Sequence, residues 1–202
     1  MNYRKAIPWA LTALRAVLGP ALVVIAMFWP APEWWLGAMI AAGFVSDIYD
    51  GVLARRWKTV TPALRTADSA TDLVFYLCVL AAAIARHWPV LRDRIWWVAG
   101  VLALEAVHIG FDWMKYGRVA SYHAYSAKVW GVLLAAAAFT LLCFDRGFWI
   151  LTLALAWGIV SEVEGIAMTA LLPEWTHDVK TLRQAMILRR QMRAEPVLAG
   201  RL

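Results

Sequence analysis

About six apolar runs, each near the roughly 20 residues needed to span a bilayer, take up most of this 202-residue chain and leave few folds open to it. The bilayer core holds no water to satisfy an exposed peptide group, so such runs cross as α-helices whose backbone bonds close within each segment. The runs extend over Ala6–Phe28, Trp34–Leu53, Ala67–Arg86, Ile95–Met114, Ala124–Phe144 and Phe148–Leu172. Turn-forming residues punctuate the junctions: Trp29-Pro30-Ala31-Pro32, Trp88-Pro89, Asp145-Arg146-Gly147 and Pro173. Composition agrees, since 62% hydrophobic residues and a mean hydropathy of +0.60 are far from those of a soluble domain. Trp34, Trp35, Trp88, Trp96, Trp97, Trp149 and Trp175 fall near the predicted ends, as an aromatic belt at the membrane–water interface does. The expected fold is all-α: one bundle of about six transmembrane helices over residues 1–175, followed by a basic tail over 176–202.

Positive charge orients the bundle, because cytoplasmic loops are enriched in Lys and Arg. Arg4, Lys5, Arg55, Arg56, Lys58, Arg65, Lys115, Arg118 and the tail fall on one side, while Arg86, Arg92, Arg94 and Arg146 fall on the other. Both termini are therefore expected in the cytoplasm, and the first apolar segment is expected to be a retained helix. The net charge of +6 then reads as topology and attraction to anionic headgroups, not as nucleic-acid binding, for which no basic patch interleaved with aromatics exists. In the tail, Val179, Leu182 and Met186 recur at helical spacing among basic residues, the pattern of an interfacial amphipathic helix or of a solvated end. Cys78 and Cys143, both in apolar segments, read as small packed side chains.

Against this background the segment Asp47–Asp72 is anomalous, for it carries four aspartates next to or inside membrane segments. An acidic side chain at membrane depth costs about 2.5 kcal/mol or more and needs a compensating partner. Asp47 and Asp50 are three residues apart and Asp68 and Asp72 four apart, so each pair projects from one helix face. The short basic connection predicts that the second and third helices are antiparallel neighbours whose four carboxylates converge at the cytoplasmic end. Hard divalent cations take oxygen ligands, and a pair of them clamps a phosphoryl group from both sides. Gly51 would let a ligand approach the backbone, and Arg55 would offer a planar fork to a phosphate.

The spacing Asp47, Asp50, Gly51, Ala54, Arg55, Asp68, Asp72 resembles the signature D-x2-D-G-x2-A-R-x8-G-x3-D-x3-D of the CDP-alcohol phosphotransferases, integral membrane enzymes of phospholipid synthesis. One position departs, with Leu64 standing where the signature has its second glycine. Pro8, Thr12 and Arg15 also match a P-N-x-x-T-x-x-R pattern found in the first helix of many bacterial members, with Trp9 in place of the asparagine. The resemblance implies that Asp47, Asp50, Asp68 and Asp72 hold divalent metal, Mg²⁺ or Mn²⁺ and two ions, with Asp72 also the general base. It implies that Gly51, Ala54, Arg55, Thr61 and Thr12 contact the CDP-lipid. It further implies a homodimer moving a phosphatidyl group from CDP-diacylglycerol to a small polar alcohol and releasing CMP, while the many Ala and Trp residues point to a bacterial inner membrane.

For the acceptor, Lys115, Arg118, His123 and Lys128 between and at the ends of the fourth and fifth helices would suit a phosphate-bearing alcohol. Glycerol 3-phosphate is the first expectation, with inositol phosphate or serine as alternatives. Glu162 and Glu164, two apart, cannot share one helix face, so at least one should point into the bundle. Glu105 and Asp112 raise the same question. Two other classes remain open at this point: a divalent-cation transporter, against which Arg55 and Arg56 beside the carboxylates speak, and an inactive membrane scaffold.

Overall fold

The computed structural model describes residues 3–29, 33–120, 122 and 124–199. Among them are seven helices and no strands: α1 Tyr3–Phe28, α2 Glu33–Arg56, α3 Pro62–Arg92, α4 Ile95–Tyr116, α5 Tyr125–Phe144, α6 Phe148–Leu171 and α7 Leu182–Ala199. The first six are long and apolar enough to cross a membrane, so the chain is an all-α integral membrane protein. Trp34, Trp96 and Trp149 expose more than half of their surface, as residues facing lipid or headgroups do.

Five helix boundaries lie within about three residues of the sequence expectation, and the third does not. Trp88-Pro89 reads as a stop, yet α3 continues to Arg92. Proline removes one backbone donor and crowds the preceding turn, and the chain absorbs this as a kink, with His87 at φ −132° and ψ 40° and helix resuming beyond it.

Two compact units divide the chain, Met1–Ile95 with Leu134–Leu151, and Trp96–Leu133 with Thr152–Leu202. In the first, α1 packs along both α2 and α3, while α2 and α3 touch each other sparingly. α2 and α3 are thus neighbours, as expected, but most of their packing is against α1. The reason is visible in α1, whose buried residues Pro8, Thr12, Arg15, Gly19, Leu22 and Ala26 alternate spacings of four and three and form one continuous seam. At one end of this unit Arg86 donates from Nε to Ala26 O and from Nη2 to Trp29 O, both at 2.8 Å. An α3 cation thereby satisfies the carbonyls that the end of α1 leaves open.

In the second unit the C-terminal end of α6 is closed in the same manner. Lys115 Nζ donates to Thr169 O at 2.6 Å, and Tyr116 Oη donates to Leu172 O at 2.9 Å. Tyr122, Ala124, Met168, Leu172, Val179 and Ala185 form a buried cluster that includes the segment after the sixth span. The Leu182 N–H at the start of α7 donates to Glu164 Oε1 at 3.2 Å, and the Gln184 N–H donates to Thr181 Oγ1 at 3.2 Å. These capping bonds fix where α7 begins.

Candidate active site

The α1 seam supplies the centre of the site. Arg15 lies in the middle of that seam and is 1% exposed. Asp50 falls on the buried stripe of α2 with Leu36, Ile40, Gly43 and Ala54. On α3, Asp68 lies one turn after the buried Leu64, and Asp72 one turn before the buried Phe75. Helical periodicity thus turns acidic residues of both helices toward α1.

Arg15 bonds all four. Nη1 donates to Asp47 Oδ1 at 2.8 Å and to Asp72 Oδ1, and Nη2 donates to Asp68 Oδ1 at 2.6 Å and to Asp50 Oδ2. Each terminal nitrogen therefore joins one α2 carboxylate to one α3 carboxylate. The four carboxylates do converge, as expected from their spacing, but they do so across a side chain of α1. Sequence reasoning matched Arg15 to a motif and gave it no place in the site. The available signal was the need of buried carboxylates for a cation at the same depth.

The donor set suits a hard divalent cation. Asp47, Asp50 and Asp68 each offer an oxygen, and these oxygens lie within 4.8 Å of one another. Asp72 reaches the same guanidinium through Oδ1, and oxygen-only coordination is what Mg²⁺ and Mn²⁺ prefer. One guanidinium serves four acidic side chains, which leaves oxygens of the cluster open to a further cation.

Gly51 and Arg55 form a second feature beside the cluster. A Cβ built on Gly51 would lie 3.3 Å from Arg55 Nη1, so the missing side chain lets the exposed Arg55 fork lie back along its own helix. Ala54 is buried. Thr61 is the N-cap of α3, its Oγ1 accepting the Leu64 N–H at 3.1 Å, and the Thr12 hydroxyl donates to Pro8 O at 3.1 Å. Leu64, the departure from the signature, is 6% exposed and starts the buried stripe of α3.

Lys115, Arg118 and Lys128 belong to the second unit. Lys115 closes α6, Arg118 stacks over the Trp175 ring at 4.4 Å, and Lys128 lies 5.5 Å from the Tyr125 ring centre. His123 lies outside the described residues. The membrane-depth acids of this unit find their partners within it. Asp112, 1% exposed, accepts from Thr169 Oγ1 at 2.7 Å and from the Ala120 N–H at 2.8 Å. Glu162 pairs with His108 Nδ1 at 2.8 Å, and Glu105 lies beside Glu162. Tyr122 Oη lies 2.9 Å from Thr169 Oγ1, and burial pushes its phenol well above the ordinary range. Of the two glutamates on α6, Glu162 thus points inward and Glu164 caps α7.

Residues 5–163 match the family model described as CDP-alcohol phosphatidyltransferase. Neither the curated proteins nor the solved structures gave a significant match.

Proposed function

The chain belongs to the CDP-alcohol phosphatidyltransferase family, membrane transferases of substituted phosphate groups acting in phospholipid synthesis, and we propose that it moves a phosphatidyl group from CDP-diacylglycerol to glycerol 3-phosphate. The observation that carries the mechanism is the convergence of Asp47, Asp50, Asp68 and Asp72 on one point of the first unit.

Asp47, Asp50 and Asp68 would hold the metal, with Asp72 as a further ligand, and two ions of Mg²⁺ or Mn²⁺ bound there would supply charge neutralisation for the diphosphate and the departing CMP. Asp72 takes the proton from the acceptor hydroxyl as that oxygen attacks the β-phosphorus. The new P–O bond forms while the bond to the CMP oxygen breaks, and CMP leaves with the electron pair. Gly51, Ala54 and Arg55 face the nucleotide, an assignment supported by the signature spacing and by the exposed, planar Arg55 fork. Lys115, Arg118 and Lys128 are assigned to an acceptor phosphate on charge alone, Lys115 being already engaged by carbonyls at the end of α6. The excess of Lys and Arg at the connections on the α2–α3 side supports a site on the cytoplasmic face of the membrane. The resemblance supports a homodimer.

The test is CMP release from CDP-diacylglycerol by the purified protein in detergent, with a panel of acceptors and with Mg²⁺, Mn²⁺ or chelator. Release that requires both a divalent cation and glycerol 3-phosphate is expected. Release driven by inositol phosphate or serine would reassign the acceptor, and release undiminished in chelator would remove the metal from the reaction.

A further inference from the structure

Arg15 does something in this site that neither the signature nor the family match assigns to it. It is a buried cation among carboxylates that a divalent ion would require, and it bonds an oxygen of every one of them. Its Nε is buried with no hydrogen-bond partner, so the four carboxylates are what hold its head group. The stem is fixed, because Arg15 lies in a continuous seam between Thr12 and Gly19.

Resting on the metal site proposed above, we propose that Arg15 is a positioning residue that acts as a tethered counter-cation: it gathers the carboxylates in the cation-free enzyme and competes with the incoming divalent ion for their oxygens. Two physical arguments support competition over cooperation. An oxygen lone pair engaged by a guanidinium N–H is withdrawn from a metal, and a fixed positive charge at the centre of the cluster repels another cation. Removing the guanidinium should therefore tighten metal binding and, at the same time, leave buried carboxylates uncompensated when no metal is present. A residue that only shaped the pocket would do the reverse, since its loss would scatter the ligands and weaken binding.

The experiment is Mn²⁺ titration of the purified full-length protein in detergent, followed by electron paramagnetic resonance of free Mn²⁺, for wild type, Arg15→Gln and Arg15→Lys. Thermal unfolding is followed with and without Mn²⁺. For Arg15→Gln the dissociation constant should fall at least about tenfold, the cation-free melting temperature should drop, and the gain on adding Mn²⁺ should exceed that of wild type. Arg15→Lys, whose compact ammonium cannot bridge the two helices with two separate nitrogens, should fall between them. It also carries the test if the glutamine variant does not survive chelation. Unchanged or weaker Mn²⁺ binding in a variant that elutes as wild type does would overturn the proposal and leave the metal site standing. Absence of Mn²⁺ binding to wild type would overturn both.

Discussion

Gly43 sits one turn before Asp47 on α2, and Phe75 one turn after Asp72 on α3, so their contact sets the separation of the two acidic pairs. A Cβ on Gly43 would lie 2.8 and 2.9 Å from Phe75 Cε2 and Cε1. That is at least about 0.6 Å short of the ~3.5 Å at which carbon atoms rest. The ring cannot swing clear, for Phe75 is 3% exposed and packs edge-on against Tyr76 at 5.7 Å. In Gly43→Ala the helices must therefore yield, at a cost of about 1–3 kcal/mol for an overpacked site. For a chain of this size that lowers the melting temperature by roughly 2–12 °C. A displacement of this order next to Asp47 and Asp72 should also reduce kcat by on the order of tenfold to a hundredfold, since misplacement by 1 Å costs about the larger figure. Both effects are read in detergent, one as loss of monodisperse protein on heating and the other as CMP release. Phe75→Leu, which removes the obstructing ring atoms, should restore much of the activity when combined with Gly43→Ala. Wild-type turnover in the single variant, or no recovery in the double variant, would refute a spacing role for this contact.

Asp72→Asn keeps the shape of the side chain and removes the proton acceptor; transfer should fall about 10²-fold or more with elution and melting close to wild type, and unchanged turnover would overturn its assignment as base. Thr61→Ala should cost about 1 kcal/mol through loss of the α3 N-cap and leave KM for CDP-diacylglycerol unaltered, whereas a large rise in KM at unchanged stability would put the hydroxyl on the nucleotide. Asp112→Ala strips the acceptor from the buried Thr169 hydroxyl and the part-buried Ala120 N–H, for a loss of about 1–3 kcal/mol. Resistance of that variant to heat or denaturing detergent equal to wild type would refute the network's structural weight.

The spans were legible because the bilayer imposes one period and one length on apolar sequence, so hydropathy alone places α1, α2 and α4 to α6. The far end of α3 was not legible, since Pro89 has the same local signature whether a helix stops or kinks, and packing around His87 decides between them. At the site, the spacing of Asp47, Asp50, Asp68 and Asp72 gave convergence, because residues three or four apart share a helix face whatever surrounds them. What lies between the two faces is a tertiary matter. The short connection does make α2 and α3 neighbours, but most of their packing is against α1, and nothing local to residues 47–72 says so. Lys115 and Glu164 show the same limit: a charge in a membrane segment announces a need for a partner, but a carbonyl at the end of α6 or an N–H at the start of α7 has no signature of its own.

The electrostatics of the first unit explain why its most conspicuous residues are also its least comfortable. Four carboxylates near membrane depth carry an insertion penalty on the order of 10 kcal/mol. Arg15 offsets part of this, with one charge distributed over four bonds. A fully neutralised cluster of the same volume would hold α1, α2 and α3 together at least as well, because buried ion pairs seldom surpass apolar packing in stability. The cluster's under-compensation is therefore not accounted for by folding. Under the proposed function it is accounted for by binding, since an oxygen-rich centre whose Asp47, Asp50 and Asp68 oxygens lie within 4.8 Å of one another suits a divalent cation.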